Sequence, residues 1–251
     1  MGYELVKFRE EDGVAALELL PFDQIEQIAR LSEEFSECCQ KFRDDDKHSV
    51  LVITGEVPGL FAMKEQFAHR ETGLARSVSL ARCIASCERP VLIGIRGDAV
   101  GLGLEMALAC DVRVSSETSK FGLPQIRAGL VPWDGGTQRL SRTVGKAKAL
   151  EMILTGELID AQEANRIGLV SRVVPADKVT TTVMDLAKDM ASKSSVSLEY
   201  CKEAIVKGMD LSLEQGLRLE ADLYFLMHTT HDRKEGIRAF QEKRKPKFTG
   251  N

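Results

Sequence analysis

The chain alternates short apolar runs with longer segments in which apolar residues recur every three or four positions. Val14–Leu20 (VAALELL) reads as a strand stopped by Pro21. Asp23 then stands as N-cap of a helix reaching about Phe42, with Ile25, Ile28, Leu31 and Phe35 on one face. Val50–Thr54 (VLVIT) and Val91–Ile95 (VLIGI) are continuous runs of β-formers, the pattern of strands covered on both faces. A helix is expected between them, from about Gly73 to Cys87. Strand, helix and strand in succession predict βαβ units and a mostly parallel sheet.

The pattern continues beyond Gly97. GDAVGLGLEMALAC is a turn running into a short helix, Asp111–Ser115 is a strand, and Phe121–Gly136 is a loop punctuated by glycine and proline. Residues 137–155 and 160–167 read as helices, and Val170–Val174 as a strand closed by Pro175. From about Ala176 to Gln241 the pattern is helical with few breakers. The expected organisation is therefore an α/β core over 1–175 and a helical region over 176–251. No Ser- or Pro-rich linker separates them, so the helices are expected to pack on the core or on another subunit.

Composition narrows the class. The 251 residues carry 34 basic and 38 acidic side chains, a net charge of −4, which gives no support to a nucleic-acid partner. No apolar run approaches the ~18 residues of a membrane span. The first ten residues, MGYELVKFRE, have no apolar core of the secretory type. The six cysteines, Cys38, Cys39, Cys83, Cys87, Cys110 and Cys201, form no CxxC pair, and the four histidines supply no convincing ligand set. They are read as free thiols of a reducing compartment, cytoplasmic or an organelle matrix, without a structural metal.

Two segments carry candidate chemistry. In the first, a strand leads through Gly97, Gly101 and Gly103 directly into a helix. A dinucleotide fingerprint would need glycine at Met106, and a phosphate loop would need Gly-Lys-Ser/Thr; neither is present. What remains is either a tight packing turn or a turn presenting one or two free amides to a developing oxyanion. Glu105 lies in the first turn of that helix among Leu102, Leu104, Met106, Ala107 and Leu108. It is either an acid favoured by the helix dipole or a buried carboxylate with a raised pKa suited to proton transfer. In the second segment, FGLPQIRAGLVPWDGGTQRL, the sole tryptophan, Trp133, precedes Asp134, Gly135 and Gly136. Asp134 is either the N-cap of the next helix or a carboxylate aimed into a cleft.

Taken together, residues 89–175, from RPVLIGIRGDAVGLGLEMALAC to LVSRVVP, and the terminal AFQEKRKPKFTG resemble the crotonase superfamily, the enoyl-CoA hydratase/isomerase family. The resemblance implies a spiral of ββα units with a C-terminal helical trimerisation region, assembling as trimers or dimers of trimers. It implies an acyl-CoA substrate, with coenzyme A entering as part of that substrate and no separate cofactor. Two backbone amides then hold an enolate oxyanion. One is that of Leu102, where the family usually has a third glycine. The other maps to Phe61, with Ala62 beside it, in EVPGLFAMKEQ. Glu105 matches the first of the family's two glutamates. The second belongs in a Pro-Glu-Ile triplet, which here reads Pro124-Gln125-Ile126. An amide orients water but exchanges no proton at neutral pH.

Asp134 is the candidate to compensate. Isomerase members place an aspartate one position earlier, at Trp133 here, whereas the naphthoate synthase branch has aspartate before the Gly-Gly pair. Gly101 and Trp133 map to the substrate site, and Phe240 and Lys243 to positions that touch CoA from a neighbouring subunit. The Asn-Arg-Pro segment that helps hold CoA in many relatives is reduced to Pro21. The expected activity is hydration of an enoyl-CoA. The alternatives are an isomerase, hydrolase or decarboxylase of the same family using Asp134, or an inactive acyl-CoA binder.

Overall fold

Val6–Glu11 (β1) and Val14–Leu19 (β2) form an antiparallel hairpin closed by Asp12 and Gly13. Their φ values of 49° and 76° are the pair of positive angles that a type I′ turn needs. The computed structural model describes residues 3–21, 27–55 and 79–251. The hydrophobic pattern does not mark β1 because Lys7, Arg9, Glu10 and Glu11 are exposed on a sheet edge, where charge discourages further pairing.

The remaining strands are β3 (Val50–Gly55), β4 (Val91–Ile95), β5 (Ala99–Val100), β6 (Val112–Ser116), β7 (Lys120–Gly122), β8 (Ile159–Asp160) and β9 (Arg172–Val174). The main sheet has the order β1-β2-β3-β4-β6-β9 and is parallel from β2 onward, with Val14 beside Val50 and Leu51 beside Val91. A small second sheet, β5-β7-β8, frames the turn at Gly101.

The helices are α1 (Gln27–Asp44), α2 (Leu80–Ala85), α3 (Leu102–Ala109), α4 (Gly136–Val144), α5 (Lys146–Thr155), α6 (Ala161–Arg166), α7 (Val179–Ala191), α8 (Ser195–Gly208), α9 (Leu213–Met227) and α10 (His231–Gln241). The helix expected over 137–155 is interrupted at Gly145, where φ of 82° breaks it into α4 and α5. The loop expected over 121–136 contains β7 and a 3₁₀ turn at Pro124–Ala128. Asp23 and the start of the helix expected from Gly73 lie outside the described residues.

The apolar strands follow from burial on both faces. Leu17, Leu51, Ile53 and Ile93 join a core with Leu31, Phe35, Ile84 and Leu104. The alternate residues Val14, Val50, Val52, Leu92 and Val114 pack against Val183 and Ala187 of α7. Each such side chain contributes about 1.5–3 kcal/mol relative to exposure. The helical region thus begins as a layer of the core. Lys202 of α8 also reaches back, donating to Asp111 Oδ2 at 2.7 Å and to the Arg89 carbonyl at 3.0 Å. By contrast, Ile205, Val206, Leu213, Leu217, Tyr224 and Phe225 on α8 and α9, and Met209 just past α8, are exposed.

His48, isolated in the sequence, meets Asp45 and Glu10 in space. Its Nδ1 lies 2.6 Å from Asp45 Oδ2, while Glu10 pairs with Lys41 at 3.4 Å. Among the described residues all six cysteines are free, and only Cys201 is exposed.

One buried cation fixes α3 in place. Arg113, on β6, donates from Nε to the Leu169 carbonyl at 2.6 Å and from Nη1 to the carbonyls of Ala107 and Cys110 at 3.2 and 2.5 Å. Burial pushes its pKa down, and the carbonyls at the C-terminal end of α3 offset the cost of holding its charge. Arg113→Met leaves the buried Leu169 and Cys110 carbonyls without this donor, each costing about 1–3 kcal/mol, while the Ala107 carbonyl keeps the Cys110 amide at 3.2 Å. We expect the denaturation midpoint to fall by a stability equivalent of at least ~2 kcal/mol in urea unfolding. A change below about 0.5 kcal/mol, within the range of an ordinary surface substitution, would show that the carbonyls find other partners.

Candidate active site

The site is built on the start of α3. Gly101 caps this helix with φ of 59°, a conformation costly for any residue with a Cβ. Its carbonyl accepts from Leu104 and Glu105, so the Leu102 and Gly103 amides precede the first intrahelical bonds and meet no acceptor among the described residues. Leu102 through Leu108 are all buried, which is why α3 has apolar residues on every side. Glu105 shares that burial at 1% exposure.

Its carboxylate is held by the Asp134-Gly135-Gly136 turn. Oε1 accepts the Asp134 amide at 2.7 Å and the Gly136 amide at 2.9 Å. The glycines are required here for separate reasons. Gly135 has φ of 97°, which aims the two flanking amides inward, and a Cβ there would overlap the Arg139 guanidinium. A Cβ on Gly136 would lie 2.9 Å from Glu105 Oε1 and 2.8 Å from Pro132 Cβ.

Oε2 of Glu105 faces the Gln125 Nε2 at 3.4 Å. Gln125 sits at the head of the 3₁₀ turn, next to Pro124, and its carbonyl accepts from Leu130 at 3.0 Å. Its side-chain Oε1 is buried with no hydrogen-bond partner among the described residues. Burial pushes the Glu105 carboxyl up to about 7. The Gly136 and Asp134 amides oppose that rise, the charge of Asp134 adds to it, and Arg139 opposes it.

Asp134 is not the N-cap of the helix that follows it. Gly135 occupies that position and supplies no side-chain bond, because the tight Gly-Gly turn brings the chain into α4 one residue later. The Asp134 carboxylate instead joins the start of α2. Ser79 Oγ donates to Oδ1, and the Ala81 amide donates to Oδ2 at 3.0 Å. The Asp134 carbonyl accepts from Arg139 Nη1 at 2.9 Å.

The structure therefore brings Glu105, Gln125 and Asp134 into one network beside Gly101 and Leu102. Trp133 borders the network and is half-exposed. Phe240 and Lys243 lie outside it, at the end of α10, where Phe240 is 85% exposed and Lys243 takes a φ of 53°. Phe61 and Ala62 lie outside the described residues. Sequence reasoning did not single out Ser79, Gly136 or Arg139. The signal for Gly136 was the Asp-Gly-Gly run itself, whose second glycine has no room for a side chain.

A buried carboxylate beside a helix start whose first two amides meet no acceptor among the described residues fits the acid–base class of enzyme. Residues 26–251 match the family model for enoyl-CoA hydratase/isomerase, and the chain belongs to that family. It is 40% identical over 211 residues to the 2,3-dehydroadipyl-CoA hydratase of Escherichia coli, covering 82% of this chain and 83% of that one. It is 36% identical over 232 residues to the mitochondrial methylglutaconyl-CoA hydratase of Rattus norvegicus, covering 88% and 74%. The crystal structure of an enoyl-CoA hydratase from Bacillus anthracis superposes with a TM-score of 0.89 at 31% identity, covering 99% of this chain and 100% of the other.

The pKa of Glu105 sets a stability trend. The folded-state value of about 7 lies above the ordinary 4.5, so between these pH values the folded state holds the extra proton. Stability from this group therefore falls as pH rises from about 4.5 through 7, the loss approaching ~3 kcal/mol at pH 8. Glu105→Gln removes the ionisation. It should be more stable than wild type at pH 8 and lose that advantage at pH 5, as read from denaturation midpoints. Equal differences at both pH values would contradict the raised pKa.

Proposed function

We propose that the protein hydrates the double bond of an enoyl-CoA thioester, with Glu105 as the single acid–base group. The observation that carries this reading is the buried Glu105 carboxyl, pushed up to about 7 and held by two amides three residues beyond the Leu102 amide. The family and the hydratase relatives support the same reaction class.

In this mechanism the Leu102 amide polarises the thioester carbonyl, with Phe61 as the second donor implied by the resemblance. Ionised Glu105 takes one proton from a water molecule while the water oxygen bonds to the β-carbon. The electron pair of the double bond moves onto the thioester as an enolate, stabilised by the amides. Glu105 then returns its proton to the α-carbon, and the net change is addition of one water. A pKa near neutrality suits a group that must accept and release the same proton. Gln125 orients the water through Nε2 and through its buried Oε1, which has no protein donor among the described residues.

Engagement of both Asp134 oxygens by the start of α2 favours hydration over an isomerisation with Asp134 as base. An inactive binder has no use for a carboxyl held so near neutral pKa. Gly101 and Trp133 border the acyl site in this reading, with Ala62 beside the Phe61 donor, and Phe240 and Lys243 reach the CoA of a neighbouring protomer. We place the protein in the cytoplasm, a setting compatible with its free thiols. None of the described helices is long and apolar enough to cross a membrane.

Glu105→Gln is expected to bind crotonyl-CoA with little change and to lose about 10²–10⁴ in kcat. Retained turnover would overturn the hydratase reading. Products read by mass, +18 for hydration against no change for isomerisation, separate it from the isomerase.

The exposed apolar side chains of α8 and α9 supply a face for self-association, and we infer a homo-oligomer, a trimer or a dimer of trimers. Sedimentation velocity should give a particle of three or six chains. Tyr224→Glu, at 61% exposure, should shift it toward smaller species. A monomer for the wild-type protein would remove this part of the proposal.

A further inference from the structure

Asp134 touches the Glu105 cradle with its amide, α4 with its carbonyl and α2 with its side chain. We propose that Asp134 is a positioning residue for Glu105, a clasp that fixes the acid–base carboxylate by tying the start of α2 to the loop that holds it. The proposal rests on the hydratase reading for its kinetic consequences, but its structural part stands on hydrogen bonds alone.

The geometry argues against a base that meets substrate. Asp134 is 5% exposed, and both its oxygens already accept, one from Ser79 Oγ and one from the Ala81 amide. Ser79 in turn accepts the Arg82 amide at 2.9 Å, so it caps α2 and donates to Asp134 at once. The side chain of Asp134 thereby fixes the plane of its own peptide, whose N–H is the shorter of the two amide contacts to Glu105 Oε1. Releasing the side chain lets that N–H swing, and a misplacement of about 1 Å costs ~10²-fold in a positioned reaction.

The clasp also carries charge. Among the described residues the charged groups facing Glu105 are Asp134 in the loop and Arg139 on α4, acting in opposite directions. Gln125 adds a neutral dipole from the 3₁₀ turn. Removing the Asp134 charge leaves Arg139 less opposed and lowers the Glu105 pKa.

The two effects are separable. Ser79→Ala loosens the clasp and keeps the charge, so crotonyl-CoA kcat should fall about 10- to 100-fold with KM nearly unchanged, and Ser79→Thr should restore it. Asp134→Asn removes the charge, so the Glu105 titration, followed by carboxyl-carbon NMR on the unliganded protein, should move down by about one unit. Ser79→Ala keeps the charge and weakens an amide contact that lowers the Glu105 pKa, so it should move that titration up if at all, and never down. An unchanged kcat in Ser79→Ala, or an unmoved Glu105 titration in Asp134→Asn, overturns the proposal. So does a loss above about 10³-fold in Asp134→Asn with Ser79→Ala fully active, the pattern of a direct base. The NMR readout needs no turnover. If Glu105→Gln proves active, the hydratase reading falls while the clasp is still judged by the Glu105 titration.

Discussion

A carboxylate buried among leucine and methionine side chains is the constraint around which the catalytic half of this fold is arranged. Glu105 has its Oε1 satisfied by two backbone amides rather than by a cation. An ion pair at that distance would hold the group ionised and well below neutral, whereas neutral donors compensate part of the desolvation and leave the rest as a raised pKa. The surrounding features serve that arrangement. Gly101 turns the chain so that α3 starts next to the small sheet, Arg113 fixes the far end of α3, and Gly135 and Gly136 bring two amides to one oxygen without a Cβ in the way.

Gln125 changes what this carboxylate has to do. Two carboxyls at 3.4 Å would titrate as a coupled pair, with one pushed up and the other down, and each could take a separate proton-transfer step. With an amide in that place one member of the pair titrates, and in the proposed mechanism the proton taken from water is the one available for the α-carbon. The requirement on the pKa of Glu105 is therefore stricter than in a two-carboxylate site. It must be basic enough to deprotonate water as the C–O bond forms and acidic enough to give the proton back. A value near 7 meets both conditions at neutral pH.

Much of this was legible in the residues and some was not, for physical reasons. The buried strands VLVIT and VLIGI were readable because burial on both faces leaves a continuous apolar run. The apolar neighbours of Glu105 foretold its burial for the same reason. The edge strand β1 was not readable, since its outward charges hide the alternation, although Asp12-Gly13 carried the hairpin signal. Asp134 was read either as the cap of its own helix or as a cleft carboxylate, and the sequence offered only the cap as a local partner. Its actual partners, Ser79 and Ala81, are more than fifty residues away, and no local pattern encodes a contact set by tertiary packing. The side-chain oxygen of Gln125, without a partner among the described residues, is likewise a property of the assembled site.

The substitution of leucine for the family's glycine at position 102 illustrates how backbone and side-chain functions separate. An oxyanion donor at the first position of a helix is a backbone N–H whose direction is fixed by the cap before it. Here that cap is Gly101, where glycine is required by the positive φ. The side chain at Leu102 plays no part in aiming the amide, and at 8% exposure it is absorbed into the packed wall of the site. The reaction chemistry can therefore stay constant while the residue that carries the donor varies in size. In the proposed mechanism the Leu102 amide serves the enolate while its side chain belongs to the wall of the acyl site, so one residue contributes to both through different atoms.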